Sequence, residues 1–504
     1  MDRLELLKQL SFGTQVAEDE VASLQEYFVR TEQWGRISRG DIDIVRGEKG
    51  AGKSALYLLL NKNSDELFDR NILLVSGENP RGTTVFKDLI SDPPASEREF
   101  VVLWKLYILV LVCHQMREYD VNDSKIQSVY AALEEQGLLE KELNLAGLLR
   151  SVQTFARRLL LTKIEIETPL DQVSGSMTGI IGRVALAEPS GELRGAGITS
   201  LDGMFSKANS SLEGANLNVW VLLDRLDVAF AESHELEANA IRALIRVYTD
   251  LGALDRISLK IFLREDIWKR VTFEGFREAS HIVRFEIMSW SNPMLLNVAM
   301  RRILNNEILC AELGVNRDEV LADFAKQEAM FDRLFPKQVE QGIQKATTFN
   351  WMIARCADAT GQTAPREFIH LLNCIKDEEI RRLELGGIRP PGDQLFDRTV
   401  FKLALPTVSS TRLNTYLYAE YKEERPYIEK LDGEKSEQTP ESLSAIWAVG
   451  RDVALSKAND LVALGFFEKR GTKGEPTFWV PFLYRDALNL RQGKADTEDE
   501  VGVR

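Results

Sequence analysis

Apolar and polar positions along this chain follow two periods, and the switches between them mark out its elements. Short apolar runs at 41–45, 71–76, 218–223, 258–263 and 282–287 have the length of buried strands, and most end in glycine or charged residues. Between them, apolar residues recur at helical spacing over 18–29, 54–60, 97–116 and 235–251, the third carrying Trp104 on its apolar side. Residues 1–40 read as a helical lead-in, with Thr31 to Gly35 as the turn before the first strand. Strands alternating with helices predict a parallel sheet flanked by helices, with ligands at the C-terminal strand ends. The polar punctuation falls there, at 47–54, 77–82, 224–227 and 264–266.

Other stretches break this rhythm. Residues 117–165 read as helical and highly charged, and 163–200 change character. There an alternating Lys163-Ile164-Glu165-Ile166-Glu167 strand precedes a run rich in Gly, Ser and Thr, so 117–200 reads as an insertion into the sheet domain at 41–291. Residues 292–390 are almost wholly helical in pattern, broken at Gly361-Gln362-Thr363-Ala364-Pro365-Arg366. The stretch 386–393, with Pro390 and Pro391, reads as a linker. Beyond it, helices at 442–448 and 456–464 precede strands at 466–470 and 477–480 around a 471–476 turn. Helix, helix and hairpin predict a winged helix over 394–490, and 491–504 reads as a disordered polar tail.

Composition narrows the class. The 504 residues carry a net charge of −14, which argues against nonspecific nucleic-acid binding over the whole surface while allowing a local basic patch. Four cysteines (Cys113, Cys310, Cys356, Cys374) lack C-x-x-C spacing and read as core residues in a reducing cytoplasm. Four scattered histidines make no zinc site. Acidic residues interrupt the N-terminal apolar positions, so no signal peptide is read there. The most apolar stretch, 101–113, is too short to span a bilayer. The expectation is a cytoplasmic protein without a membrane segment.

Candidate chemistry enters at Gly47-Glu48-Lys49-Gly50-Ala51-Gly52-Lys53-Ser54, a complete G-x-x-x-x-G-K-S phosphate-binding loop between a strand and a helix that continues through Ala55. Its glycines let backbone N–H groups turn inward around a phosphate, and the helix N-terminus adds its positive dipole end. Lys53 supplies a cation for the β- and γ-phosphates and Ser54 a hydroxyl for Mg²⁺. The reading is a nucleoside triphosphate site in an α/β P-loop NTPase sheet, followed by an all-α lid and a winged-helix domain.

Asp224, at the tip of an apolar strand, has the placement Mg²⁺ coordination requires. Many P-loop ATPases follow this aspartate with a glutamate that polarises the attacking water, and here Arg225 stands there. Asp227 is the next carboxylate, readable either as a base or as a helix cap. Arg264 reads either as a sensor of the γ-phosphate or as the partner of Glu265 or Asp266. Arg366, after Pro365 at a helix start, reads either as a bridge from the lid to the nucleotide or as ordinary helix-start chemistry.

The order of these motifs, with Gly361-x-x-x-Pro365-Arg366 and the terminal winged helix, resembles the STAND and KAP branch of bacterial P-loop ATPases, relatives of the AAA+ and origin-recognition ATPases. Phe12-Gly13-Thr14-Gln15-Val16-Ala17-Glu18-Asp19, Thr31-Glu32-Gln33-Trp34 and Ser289-Trp290 also resemble a bacterial family within that branch. The resemblance covers residues 10–490. It implies ATP held between sheet domain and lid, with Trp34 among the nucleotide-binding residues, Pro365 on the adenine, and Arg264 and Arg366 as sensors. It further implies a slow, nucleotide-driven switch that controls a separate effector, in defence against phage or a similar stress response. The oligomeric state stays open, a homo-oligomer included. The alternative is a DNA-engaging ATPase using its winged helix. It rests on Lys469, Arg470 and Lys473 in the wing, against a recognition helix at 456–464 with one Lys and one Asp. A P-loop kinase fits less well, because no Arg-rich lid is evident.

Overall fold

The computed structural model describes residues 2–20, 24–29, 31–79, 86, 95–161, 180–226, 233–273, 275–472 and 475–495. The chain forms two compact units. One comprises Arg30–Glu48 and Lys53–Met288, the other Met1–Val29, Lys49–Gly52 and Ser289–Arg504.

The first unit is built on five parallel strands, β1 (Ile44–Gly47), β2 (Ile72–Ser76), β3 (Asn218–Leu223), β4 (Ile257–Arg264) and β5 (Phe285–Ile287). Their order is β2-β3-β4-β1-β5, so β4 lies between β1 and β3 and the strand tips form one row. Four helices position the site: α1 (Glu32–Arg39), α2 (Lys53–Lys62), α3 (Glu97–Glu118) and α4 (His234–Leu251).

The apolar stretch that dominated the sequence is α3. It starts at a reciprocal capping box between Ser96 and Glu99. Trp104 is fully buried in it and donates its indole N–H to the Ala240 carbonyl on α4 at 2.9 Å. Among the described residues, α3 is the one helix long and apolar enough to cross a membrane, and most of it lies inside this core. The helices Ser124–Glu134, Leu145–Leu161 and Leu201–Gly214 join the same core through Ile126, Leu149, Phe155 and Phe205. Three short strand pieces, Ile180–Ile181, Val184–Ala185 and Thr199–Ser200, form a small sheet. The strand expected at 163–167 lies outside the described residues.

One local expectation fails for a clear reason. Thr31 to Gly35 is no turn: the Thr31 side chain accepts from the Trp34 N–H and caps α1. The helix is short and carries only two large apolar residues, Trp34 and Ile37, too few for a periodicity argument. Gly40 ends it with φ +89°, and a Cβ there would meet the Trp220 ring at 2.8 Å.

The second unit is mostly helical. Its central pair is α5 (Pro365–Glu384) and α6 (Arg398–Arg412), and α6 runs on through a π turn, Leu413–Leu417. A winged helix follows, with α7 (Pro440–Trp447), α8 (Arg451–Ala463) and four strands: β6 (Lys435–Gln438), β7 (Glu468–Gly471), β8 (Pro476–Trp479) and β9 (Arg491–Lys494). β7 and β8 form the antiparallel wing, β6 pairs antiparallel with β8, and β9 runs parallel to β6. The tail expected from 491 therefore begins with a strand. Its polar residues hid it, because an exposed edge strand carries no apolar signature.

The segment 386–393 lies inside this unit. Gly392 O accepts from Arg3 at 3.1 Å, Asp393 pairs with Arg333 at 2.7 Å, and Leu395 and Phe396 are buried directly after it. Phe12, Leu371, Phe396, Trp447, Phe467 and Tyr484 share one hydrophobic core, so the helical and winged-helix segments fold around a common interior.

A polar knot on this unit yields a pH prediction. The Lys345 ammonium, with Lys402 and Arg355 adding to it, holds the Glu340 carboxyl down to about 2 from its ordinary value of 4.5. A depressed carboxylate stabilises the fold fully above its unfolded value, and that gain disappears as pH falls through the folded value. Glu340→Gln is therefore expected to lower the denaturant midpoint at pH 7. The gap to wild type should shrink progressively below about pH 4.5, and a gap unchanged with pH would remove the role of this charge.

Candidate nucleotide-binding site

β1 ends at Gly47, the loop occupies the next residues, and α2 begins at Lys53. Gly50 and Gly52 have φ +85° and +100°, a region open to glycine and strained for other side chains. Gly50 also permits a close approach: a Cβ there would lie 3.0 Å from Arg366 Cβ and 3.5 Å from Glu367 Oε2. Lys53 Nζ donates to Gly47 O at 2.8 Å and Glu48 O at 3.0 Å, so its ammonium already sits within the loop's curl. Ser54 and Ala55 follow in the first turn of α2.

The middle of the loop, Lys49–Gly52, belongs to the second unit. Lys49 pairs with Glu420 and stands 5.4 Å from the Tyr416 ring centroid. Trp290 Nε1 donates to Ala51 O at 2.8 Å. Arg366 Nε donates to Gln15 O at 3.2 Å, which ties the 12–19 segment to the start of α5. Pro365 is the first residue of α5 and is buried.

At the strand tips, Arg264 is the register partner of Gly47. Its guanidinium meets Asp266 at 3.0 and 2.5 Å, while Glu265 lies 3.7 Å from Arg46. Asp224 directly follows β3 and is 4% exposed. Arg225 has φ +58°, a conformation costing a non-glycine residue about 1–3 kcal/mol. Its Nη1 donates to Asn79 O at 3.4 Å. Asp227 lies outside the described residues.

The structure also brings forward a residue the sequence reading passed over. Glu78 was read only as part of a loop signal, yet it is 0% exposed at the tip of β2. Gly77 N–H donates to Leu222 O at 2.8 Å, which continues the β2–β3 ladder to that tip. The Glu78 carbonyl accepts from Tyr57 O–H at 2.6 Å, and its Oε1 accepts from Asn79 N–H at 2.9 Å. Burial pushes the Tyr57 hydroxyl well above its ordinary pKa, and Asp224 and Glu78 add to the shift. The available signal was a carboxylate two residues past an apolar strand.

Trp34 is placed elsewhere. It lines a cleft of about 210 Å³ with Ser38, Leu60, Asn63 and Arg70. Leu60 lies seven residues along α2 from Lys53, about 10 Å down the helix axis. The structure therefore brings Gly47, Lys53, Ser54, Asp224 and Arg264 to the C-terminal edge of one sheet, and Gly50 to Arg366, while Trp34 stands at the far end of α2.

No protein-family profile matches this chain, and no curated protein matches it. Among solved structures it is similar to the Aeropyrum pernix ORC1 protein in complex with DNA, at 11% identity and TM-score 0.37, over 94% of this chain and 96% of that one. It is also similar to the Aeropyrum pernix ORC2 protein in ADPNP–ADP complexes, at 11% identity and TM-score 0.30, over 91% and 94%. For Cdc6p from Pyrobaculum aerophilum the identity is 12% and the TM-score 0.28, over 93% and 92%.

Proposed function

We propose that this chain binds ATP with Mg²⁺ on the loop Gly47–Ala55 and uses slow hydrolysis as a conformational switch acting on a partner protein. The observation that carries the reading is the loop itself. A complete G-x-x-x-x-G-K-S, with left-handed glycines, joins a parallel strand to a helix at the sheet edge where Asp224 and Arg264 also end.

Loop N–H groups would cradle the β-phosphate, and Lys53 would exchange its carbonyl partners for phosphate oxygens. Ser54 and Asp224 offer the hard oxygen donors Mg²⁺ prefers. Bound there, Mg²⁺ would offset charge on the β- and γ-phosphate oxygens. Arg264 would trade Asp266 for the γ-phosphate.

Support for a switch comes from what already touches the loop. Glu420 and Trp290 hold Lys49 and Ala51, and the start of α5 lies close to Gly50, so a triphosphate that reshapes the loop would alter those contacts, and a ligand shifts a conformation only through such differential contacts. The STAND/KAP placement, the separate effector and a role in defence against phage rest on motif order. The DNA-engaging reading has less behind it: Lys457 pairs with Asp460, Lys469 with Asn459 and Arg470 with Glu468, and Lys473 lies outside the described residues.

Limited proteolysis with a non-hydrolysable ATP analogue and with ADP tests the switch. Different fragment patterns are expected for wild type, and identical patterns would remove the switch. Arg366→Ala should keep ATP affinity within a few-fold and make the two patterns converge, because the loop still holds the β-phosphate.

A further inference from the structure

In the ladder between β2 and β3, Ser76 pairs with Leu222 and Gly77 N–H donates to Leu222 O. Two residues beyond that pair, each strand delivers a carboxylate, Glu78 on one and Asp224 on the other. The position after Asp224, where a glutamate could polarise water, belongs to Arg225, whose guanidinium instead reaches the Asn79 carbonyl.

We propose that Glu78 is the catalytic base, the carboxylate that takes a proton from the attacking water; this rests on the ATPase reading above. Full burial of a carboxylate is costly and recurs where chemistry needs it. Glu78 is 0% exposed, and the chain spends several bonds on placing it. Tyr57 O–H holds its carbonyl at 2.6 Å, Tyr107 O–H holds the Gly77 carbonyl at 2.7 Å, and Asn79 N–H fixes the direction of Oε1 at 2.9 Å. The Arg225–Asn79 bond ties this tip to the tip that carries Asp224. Division of labour follows: Asp224 serves the metal and Glu78 the water.

In the step itself, the water oxygen forms a bond to the γ-phosphorus as the bond from that phosphorus to the β,γ-bridging oxygen breaks. The bridging oxygen leaves on ADP with the electron pair. The water proton passes to the Glu78 carboxylate and from there to the released phosphate. No oxidant or further reactant is needed.

The test uses the full chain with ATP and Mg²⁺, comparing wild type with Glu78→Gln. Calorimetry reads affinity, single-turnover kinetics read the rate, and chromatography of the nucleotide retained on the protein reads its identity. Glu78→Gln should bind ATP within a few-fold of wild type and lose about a hundredfold or more in rate. It should retain intact ATP where wild type retains ADP, and its residual rate should no longer fall on the acid side. A rate within a few-fold of wild type overturns the proposal, as does a wild type that binds ATP without hydrolysing it. Failure of the wild type to bind ATP overturns the nucleotide reading and this proposal together. If Glu78→Gln does not fold, Tyr57→Phe removes the hydroxyl that positions the Glu78 carbonyl and leaves the carboxylate in place. It should lower kcat several-fold at constant KM, and an unchanged kcat overturns the proposal.

Discussion

Replacing Lys53 by alanine is expected to weaken ATP binding about ten- to a hundredfold, the range expected when a charge-assisted hydrogen bond of about 1.5–3 kcal/mol is lost. The fold should persist. Lys53 Nζ bonds to carbonyls of its own loop, Gly47 O and Glu48 O, and it is only partly buried, so water can take its place. Neither condition holds for a core residue, whose truncation typically costs about 2–5 kcal/mol. The measurement is a calorimetric titration beside a melting curve. An unchanged affinity would remove the phosphate-loop assignment, and a collapsed melting transition would show that Lys53 is structural.

The second large effect is on stability. Glu367 follows Arg366 on α5 and meets Arg412 at the end of α6, Nη1 to Oε1 at 2.7 Å, with both side chains under a tenth exposed. Burial works against the Arg412 charge, but Glu367, with Tyr484 and Tyr416 behind it, outweighs burial and holds the guanidinium above its ordinary pKa. Glu367→Ala leaves that cation buried without its counter-charge, which typically costs about 3–5 kcal/mol. Removing both charges should cost far less, because an apolar pair of similar volume avoids the desolvation of two ions. Chemical denaturation of Glu367→Ala, Arg412→Met and the double variant Glu367→Leu with Arg412→Met checks this. Equal losses in singles and double would mean that packing, not charge, holds the site. The exposed pair Arg425–Glu429, also at 2.7 Å, sets the scale from the other side, since water screens such a pair and leaves it contributing little.

What could be read in advance was what local periodicity carries. All five strands of the main sheet lie within a few residues of the apolar runs that announced them, and the phosphate loop sits between strand and helix because its glycines and its flanks state that geometry together. Three kinds of information were out of reach. Arg491–Lys494 forms a strand through pairing with a distant partner, which leaves no mark on composition. The common interior of the helical and winged-helix segments depends on which apolar faces meet, and 386–393 looked like a boundary because proline and glycine mark any turn, between domains or within one. Glu78 gained its role only when strand order put β2 beside β3, since a carboxylate past a strand is a weak signal until the neighbouring strand is known.

The π turn at Leu413–Leu417 has a consequence for phase. Arg412, Tyr416 and Glu420 stand four apart: Arg412 lies 3.9 Å from the Tyr416 ring centroid, Lys49 stands 5.4 Å from the same centroid, and Glu420 closes on Lys49. In an uninterrupted α-helix, residues four apart drift by about 40° each time, so the first and last of this column would diverge by about 80°. A wider turn with i→i+5 bonding rotates less per residue and takes back that drift. The helix works as a vernier: one loosened turn brings a buried ion pair at one end and the grip on Lys49 at the other onto a single meridian.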